Sequence, residues 1–332
     1  MAATIKEIAK IAKVSIATVS RALSNDPKVI EETKQLVLKV ASDLNYNPNL
    51  LARNFVKRKS NLIGLILPDI ADEFFSEIIR GVDDTALRSN YFTMVISSHK
   101  NRSLVESIQT LMGGGLAGGV IILIPYLSED IKSALNNERI PFVIISGDNG
   151  LGSYSTISID NYNAAYEMTQ YLITQKNYTK IAFITGPADN NDAAIRQLAF
   201  KEACRNNGIR IKKSWIVEGN FSKESGEEAC RKLIDSKDKP EAIFAANDMM
   251  ALGCYEAIQS KGLKIPKDIG VVGFDDILLA RFMNPPLTTV KVHINELGIM
   301  AAELLISKIE NNNSSANRKI KVSSELVIRK SC

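Results

Sequence analysis

The chain has 332 residues, 45% hydrophobic and 23% charged, with a formal net charge of +4; that is enough apolar content for a large core, and a length that favours two or more domains. No apolar run approaches the roughly 20 residues of a membrane-spanning helix, and the opening MAATIKEIAKIAKVS puts a Lys or Glu in each turn where an export signal needs an unbroken apolar stretch, so a cytoplasmic chain with no membrane partner is expected. Cys204, Cys230, Cys254 and Cys332 lie far apart with no histidine at ligand spacing, which argues for free thiols and against a metal site.

The charge is unevenly spread. Residues 1–60 hold 11 Lys or Arg against 5 Asp or Glu, while the remainder holds 30 against 32; a basic end on a neutral body suits attraction to a phosphate backbone. Within that end, Thr4-Ile5-Lys6-Glu7 reads as a capping box that starts a helix, with Ile5, Ile8, Ala9 and Ala12 on one face. After a Lys13-Val14 turn, Ser15 can cap a second helix, Ile16 to Leu23, with Val19, Ala22 and Leu23 inward and Ile16, Ala17, Ser20 and Arg21 outward. Small or apolar residues followed one turn later by an arginine suit a DNA major groove better than water: Ile16 and Ala17 can meet thymine methyls, and Arg21 a guanine edge or a phosphate. A third helix is expected from about Glu31 to Leu44, with Leu36, Val37, Val40, Ala41 and Leu44 as its buried stripe, ended by Asn45-Tyr46-Asn47-Pro48. The following Asn49 to Val56 has helical character but is too short to be stable without a partner, and Lys57-Arg58-Lys59-Ser60 forms a basic linker.

From residue 61 onward, apolar runs recur at Leu62 to Leu67, Phe92 to Ile96, Val120 to Ile124, Phe142 to Ile145, Ile181 to Ile184, Ala242 to Ala245 and Val271 to Phe274, with amphipathic stretches between most of them. That alternation predicts parallel sheets flanked by helices, and the length predicts two lobes. Ligands in such folds sit beyond the C-terminal strand ends. Those ends carry Asp69, Asp72, Phe74 and Phe75, then Asp148, Asp160, Asn190 to Asp192, Asn247-Asp248 and Asp275-Asp276. Carboxylates and amides beside aromatic rings suit polyhydroxylated rings, although any one of these Asp or Asn residues can equally cap the next helix.

The stretches TIKEIAKIAKVSIATVSRAL and ETKQLVLKVASDLNYNPNLLAR closely resemble the headpiece and hinge of the lactose repressor and galactose repressor family. IGLILPDIADEFFSEIIRGV, ISIDN, AAIRQLAF, FAANDMMALG and VVGFDDI extend the resemblance through the body. The resemblance implies a small all-α helix-turn-helix headpiece (residues 1–48), a hinge helix and linker (49–60), and an α/β core of the periplasmic-binding-protein type (61–332), with one lobe at about 61–159 and 292–321 and the other at about 160–291 and 322–332. It implies a homodimer on a near-palindromic double-stranded operator, with hinge helices in the central minor groove. Base or groove contacts would fall to Ile16, Ala17, Arg21, Leu50, Ala52 and Phe55, and phosphate contacts to Thr4, Ser15, Thr18, Ser20, Ser24, Lys28 and Asn49. Phe55 stands where the family has a wedging leucine, and phenylalanine also serves as a wedge. For the effector, the resemblance makes Arg196 the bidentate donor, Asp275 and Asn247 polar partners, Phe74, Phe75 and Phe221 stacking walls, and Asp148 and Asp160 secondary contacts. The purine-binding branch has an arginine and a threonine where this chain has Asn190 and Asp192, so a sugar or sugar derivative is favoured over a purine. A regulatory protein partner also occurs in catabolite-control members.

Rival classes fare poorly. Gly113, Gly115 and Gly118 satisfy GxGxxG, but they precede the Val120 strand instead of following one. His99 and His293 sit in no nucleophile-elbow or HExxH setting. No catalytic residue, metal or cofactor is expected. A solute-binding protein without a regulatory role would share the body but not the headpiece.

Overall fold

The computed structural model describes residues 4–46, 60–98, 103–113, 116–136, 140–145, 154–311 and 316–332. The chain divides into two compact units, residues 1–60 and 61–332. Each is built on its own core.

The first unit contains α1 (Ile5–Ile11), α2 (Ile16–Leu23) and α3 (Glu31–Asp43). The capping box forms as the sequence predicts: the Thr4 hydroxyl accepts from the Glu7 backbone N–H at 3.4 Å, and the Thr4 N–H donates to Glu7 Oε2 at 2.7 Å. Lys13 turns the chain in the left-handed region (φ 53°), and Ser15 caps α2 by accepting from Thr18 N–H at 3.0 Å. Ile8, Ala9, Ala12, Val19, Ala22, Val37, Val40 and Ala41 close a small core, with Leu23 and Leu44 packed at its edge. Leu36 departs from expectation, being 46% exposed. The buried stripe Val37, Val40, Ala41, Leu44 already satisfies the helical period, and Leu36 lies one residue, about 100°, off it. Replacing Thr4 with alanine is expected to destabilise this unit by about 1 kcal/mol and serine to preserve it; amide hydrogen exchange of α1 in DNA-free protein measures the difference.

The second unit holds two six-stranded sheets. The first is built from β1 (Leu62–Leu67), β2 (Phe92–Ser97), β3 (Gly119–Leu123), β4 (Phe142–Ile145), β5 (Thr156–Ile159) and β11 (Lys319–Val322), in the order β11-β5-β4-β3-β1-β2. The second is built from β6 (Ile181–Thr185), β7 (Ile216–Glu218), β8 (Ala242–Ala245), β9 (Gly270–Asp275), β10 (Thr288–Val292) and β12 (Ser324–Val327), in the order β12-β10-β9-β8-β6-β7. Every pairing is parallel except β10 with β12. The flanking helices are α4 (Glu73–Arg88), α5 (Leu104–Ile108), α6 (Glu129–Asn136), α7 (Asn161–Thr174), α8 (Asn191–Asn206), α9 (Lys223–Ile234), α10 (Asp248–Ser260), α11 (Leu278–Phe282) and α12 (Ile294–Glu310).

The seven apolar runs of the sequence all become strands, their ends shifted by a residue at most. β5, β7, β10, β11 and β12 were not anticipated, because TISI, IVE, TTVKV, KIKV and SELV are short and interrupted by polar residues. The chain passes between the sheets after β5, after β10 and between β11 and β12, so three adjacent segments join two otherwise separate layers. A parallel βαβ crossover leaves the strand ends facing one rim, and here both sheets turn that rim toward a shared cleft. Hydrogen bonds also bridge the layers: the Glu73 carboxylate accepts from Leu278 N–H at 2.8 Å, and Asn191 N–H donates to the Pro125 carbonyl at 2.9 Å.

Candidate functional site

Two sites emerge, one in each unit. On α2, Ile16 is 46% exposed, and Ser15, Ala17, Ser20 and Arg21 are also exposed. Thr18 is held by Ser15 through a 2.8 Å hydroxyl contact, and the Ser24 hydroxyl donates to the Ser20 carbonyl at 2.7 Å. Lys28 is exposed on the loop to α3, its backbone N–H donating to Asp26 Oδ1, while Thr4 stands exposed at the start of α1. The Arg21 guanidinium makes no hydrogen bond or ion pair among the described residues, while its carbonyl accepts from Ser24 Oγ at 3.2 Å. The face that suited a groove is thus the face not used for packing. Asn49, Leu50, Ala52 and Phe55 lie outside the described residues.

The second site is a cavity of about 640 Å³ at the C-terminal strand ends of both sheets. Phe74, Phe75, Arg196, Phe221, Asn247 and Asp275 all line it, joined by Asp72 and Asp192. Asp160 is absent from the lining; its Oδ2 accepts from Asn163 Nδ2 at 2.6 Å at the start of α7. Asp148 lies outside the described residues.

Arg196 is 4% exposed on α8. Its Nε donates to Asn161 Oδ1 at 2.7 Å, its Nη1 to the Ala246 carbonyl at 2.5 Å, and its guanidinium lies 3.7 Å from the centre of the Phe274 ring. These contacts fix the plane of the fork yet leave donors over. Burial lowers the guanidinium's proton affinity, and Asp275, Asp192 and Asp248 oppose that effect. Asp275 Oδ1 is 3.8 Å from Nη1, beyond hydrogen-bond reach, and this buried oxygen has no hydrogen-bond partner. Burial lifts its carboxyl to about 7 despite the neighbouring Arg196. Burial likewise raises Asp192, which accepts from Asn161 Nδ2 at 2.8 Å, and raises Asp248 well above the carboxylate range. Asp248 is sealed in the core, accepting from Thr289 Oγ1 at 2.6 Å and from Ile277 N–H at 3.0 Å.

The aromatic wall is positioned by strain and by space. Phe221 has φ 68°, and Asp275 and Asp276 have φ 115° and 56°, a conformation unfavourable for residues with a side chain unless the surroundings enforce it. Asn220 Oδ1 accepts from Ser222 N–H at 3.0 Å, Asn247 Nδ2 donates to the Phe221 carbonyl at 3.0 Å, and Arg329 Nη2 grips Asp276 Oδ1 at 2.6 Å. The Phe221 ring lies over Gly186, where an added Cβ would come within 2.2 Å of it. Phe74 and Phe75 meet edge to face at 5.5 Å. Asn247 also caps α10 by accepting from Met250 N–H at 2.9 Å, so capping and cavity lining coexist in one residue. Asn161, the shared partner of Arg196 and Asp192, is not singled out by the sequence; only its place in the ISIDN stretch, beside Asp160, points to it.

A helix-turn-helix unit followed by a two-sheet body with a ligand cavity at the strand ends defines a DNA-binding regulator with an effector-binding core. Residues 4–49 match the model of bacterial regulatory proteins of the lacI family, and residues 169–332 match a periplasmic binding protein-like domain. The HTH-type transcriptional repressor CytR of Escherichia coli (strain K12) is 34% identical over 329 residues, covering 99% of this chain and 96% of its own. Among solved structures, the lac repressor dimer bound to operator and the anti-inducer ONPF superposes with a TM-score of 0.87 at 26% identity, covering 100% of this chain and 99% of that one. A CelR–cellobiose complex gives 0.75 at 26% identity over 99% of this chain and 100% of that one. The chain belongs to the LacI family of bacterial transcription regulators. No helix among the described residues is long and apolar enough to cross a membrane.

Proposed function

We propose that the protein is a repressor that binds a near-palindromic operator as a homodimer and loses or gains that affinity when a small polyhydroxylated effector, a sugar or sugar derivative, enters the cleft of the body. The observation that carries the reading is the half-tethered Arg196 opposite the unpartnered Asp275 between aromatic walls: spare donors face a spare acceptor with apolar faces beside them, which is what a ring bearing hydroxyls needs. The cellobiose complex of a structural relative supports the sugar class. In place of the purine branch's arginine and threonine stand Asn190, whose Oδ1 caps α8 by accepting from Ala193 N–H at 3.0 Å, and the buried carboxyl of Asp192, and the loss of the arginine's charged donors disfavours a purine. The lobes of the body are residues 61–159 with 292–321 and residues 160–291 with 322–332, a division supported by sheet membership. Closure about the three connecting segments changes the spacing of the two hinges in the dimer, and operator affinity follows by linkage. The apolar side chains of α11, with Phe282 75% exposed, support a second copy covering that face.

Binding of the full chain to genomic fragments by gel shift tests the reading. A specific fragment should be retained over random competitor, and its affinity should fall by roughly a thousandfold between about 50 and 200 mM salt if a dimer displaces counterions from several phosphates. Absence of preference for any fragment, with or without metabolites, overturns it.

A further inference from the structure

The cleft is strongly acidic. Among the described residues its lining holds Asp69, Asp72, Asp189, Asp192, Glu224 and Asp275 against two cations, Arg196 and Lys223. Lys223 Nζ is paired, reaching both Glu256 carboxylate oxygens at 3.0 and 3.1 Å. Arg196 keeps spare donors, but Asp275 Oδ1 lies 3.8 Å from its Nη1 and the charges of Asp192 and Asp248 also act on it. An anionic group would therefore meet a single half-tethered cation among a majority of carboxylates.

The acidic groups are also arranged across the cleft. Asp72 stands at the start of α4, beyond the end of β1 in one sheet, and Asp275 ends β9 in the other. Both line the same cavity, and the charge of Asp72 is felt at Asp275. Asp275 Oδ1 is, of the cavity-lining oxygens, the one buried without a hydrogen-bond partner among the described residues. Bringing the lobes together brings two carboxyls together, and with both ionised their repulsion opposes closure unless something positive lies between them. A neutral hydroxyl satisfies one acceptor but leaves the repulsion in place.

Resting on the reading of this cleft as the effector site, we propose that the effector is a polyhydroxylated molecule carrying a protonated amine, an amino sugar or similar polyol ammonium, whose cation sits between Asp72 and Asp275. The ammonium donates to the orphaned Asp275 oxygen while its charge cancels the repulsion across the cleft, so binding and closure become one event. Phosphorylated and carboxylated sugars are disfavoured by the same field.

Matched probes test this with the full chain near pH 7, where aliphatic amines are protonated. Calorimetric titration and thermal shift are run with D-glucosamine, D-glucose and D-glucose 6-phosphate, and with tris(hydroxymethyl)aminomethane against pentaerythritol, which differ only in the charged group. The aminated member of each set should bind at least about tenfold more tightly than its neutral partner, and the phosphate should not bind. Asp72→Asn and Asp275→Asn should each erase the preference; asparagine still caps α4 and tolerates positive φ, and melting curves verify that each variant is folded. A neutral or anionic probe that matches its aminated partner, a preference that survives in both variants, or no binding of either aminated probe overturns the proposal. All three outcomes leave operator preference in the same preparation intact, whereas failure of the regulator reading removes it.

Discussion

Arg196→Ala is expected to abolish the response of operator binding to effector and to destabilise the body by about 3 kcal/mol, while operator binding at saturating protein persists. The arginine is buried, bridges Asn161 of α7 to the Ala246 carbonyl, and lies flat on Phe274. Removing one member of a buried ionic group typically costs about 3–5 kcal/mol, because the remaining charge stays desolvated. The lower end applies here, since Asp275 lies near neutrality and can take up a proton when its counterion goes. In a domain of this size that loss corresponds to a fall in melting temperature of roughly 6–12 °C. Arg196→Lys should recover little of it, because an ammonium has neither the planar face for Phe274 nor the fork for two fixed acceptors. Melting curves and gel shifts with and without effector measure both parts; a variant as stable as the parent would mean that the arginine serves only the ligand. DNA binding survives because the helix-turn-helix unit closes its own core.

The stability role of Arg196 was not legible in the sequence, although its place in the cleft was. A motif puts an arginine on the first turns of a helix after a strand; it does not say that a backbone carbonyl fifty residues away, at Ala246, will accept from it. The exposed face of α2 could be read almost completely, because the α1 capping box, the Lys13 turn and the Ser15 cap are local and follow from helical period and side-chain chemistry. The parallel strands with continuous apolar runs were equally visible. The five missed strands are those whose stabilisation comes from neighbours instead of composition: β10 hides Thr288 and Thr289 completely, the first receiving the Arg329 N–H and the second donating to Asp248. Strand-end carboxylates in the sequence looked interchangeable as caps or ligands. Three-dimensional placement separates them, for Asp72 caps a helix and lines the cleft, Asp248 is walled into the core, and Asp275 alone of the three keeps an unpartnered buried oxygen.

That oxygen leads to a second large effect, of opposite sign. Asp275→Asn is expected to stabilise the effector-free protein at pH 8, by about 1–3 kcal/mol, while weakening effector binding. In the unfolded chain this carboxyl loses its proton near 3.8, and in the folded chain near 7. Between those values the folded state holds the extra proton, so stability falls as pH rises and the loss is complete above about 7, at a magnitude on the order of 4 kcal/mol. Part of the gain from the amide is returned because Arg196 loses the largest of its three carboxylate partners and keeps Asp192 and Asp248. The advantage of the variant should therefore be largest at about pH 8 and vanish near pH 5, where the native carboxyl is neutral and differs little from an amide. Thermal melts of both proteins across that range measure the effect, and a variant less stable than the parent at pH 8 would show that the carboxylate is a net stabilising group. The two substitutions should also couple: with Asp275 already neutral, removing Arg196 leaves one buried charge fewer unpaired, and the double variant should lose less than the single changes predict. A cleft built this way holds an acceptor that the folded chain would be more stable without, which is the signature of a group retained for what it binds.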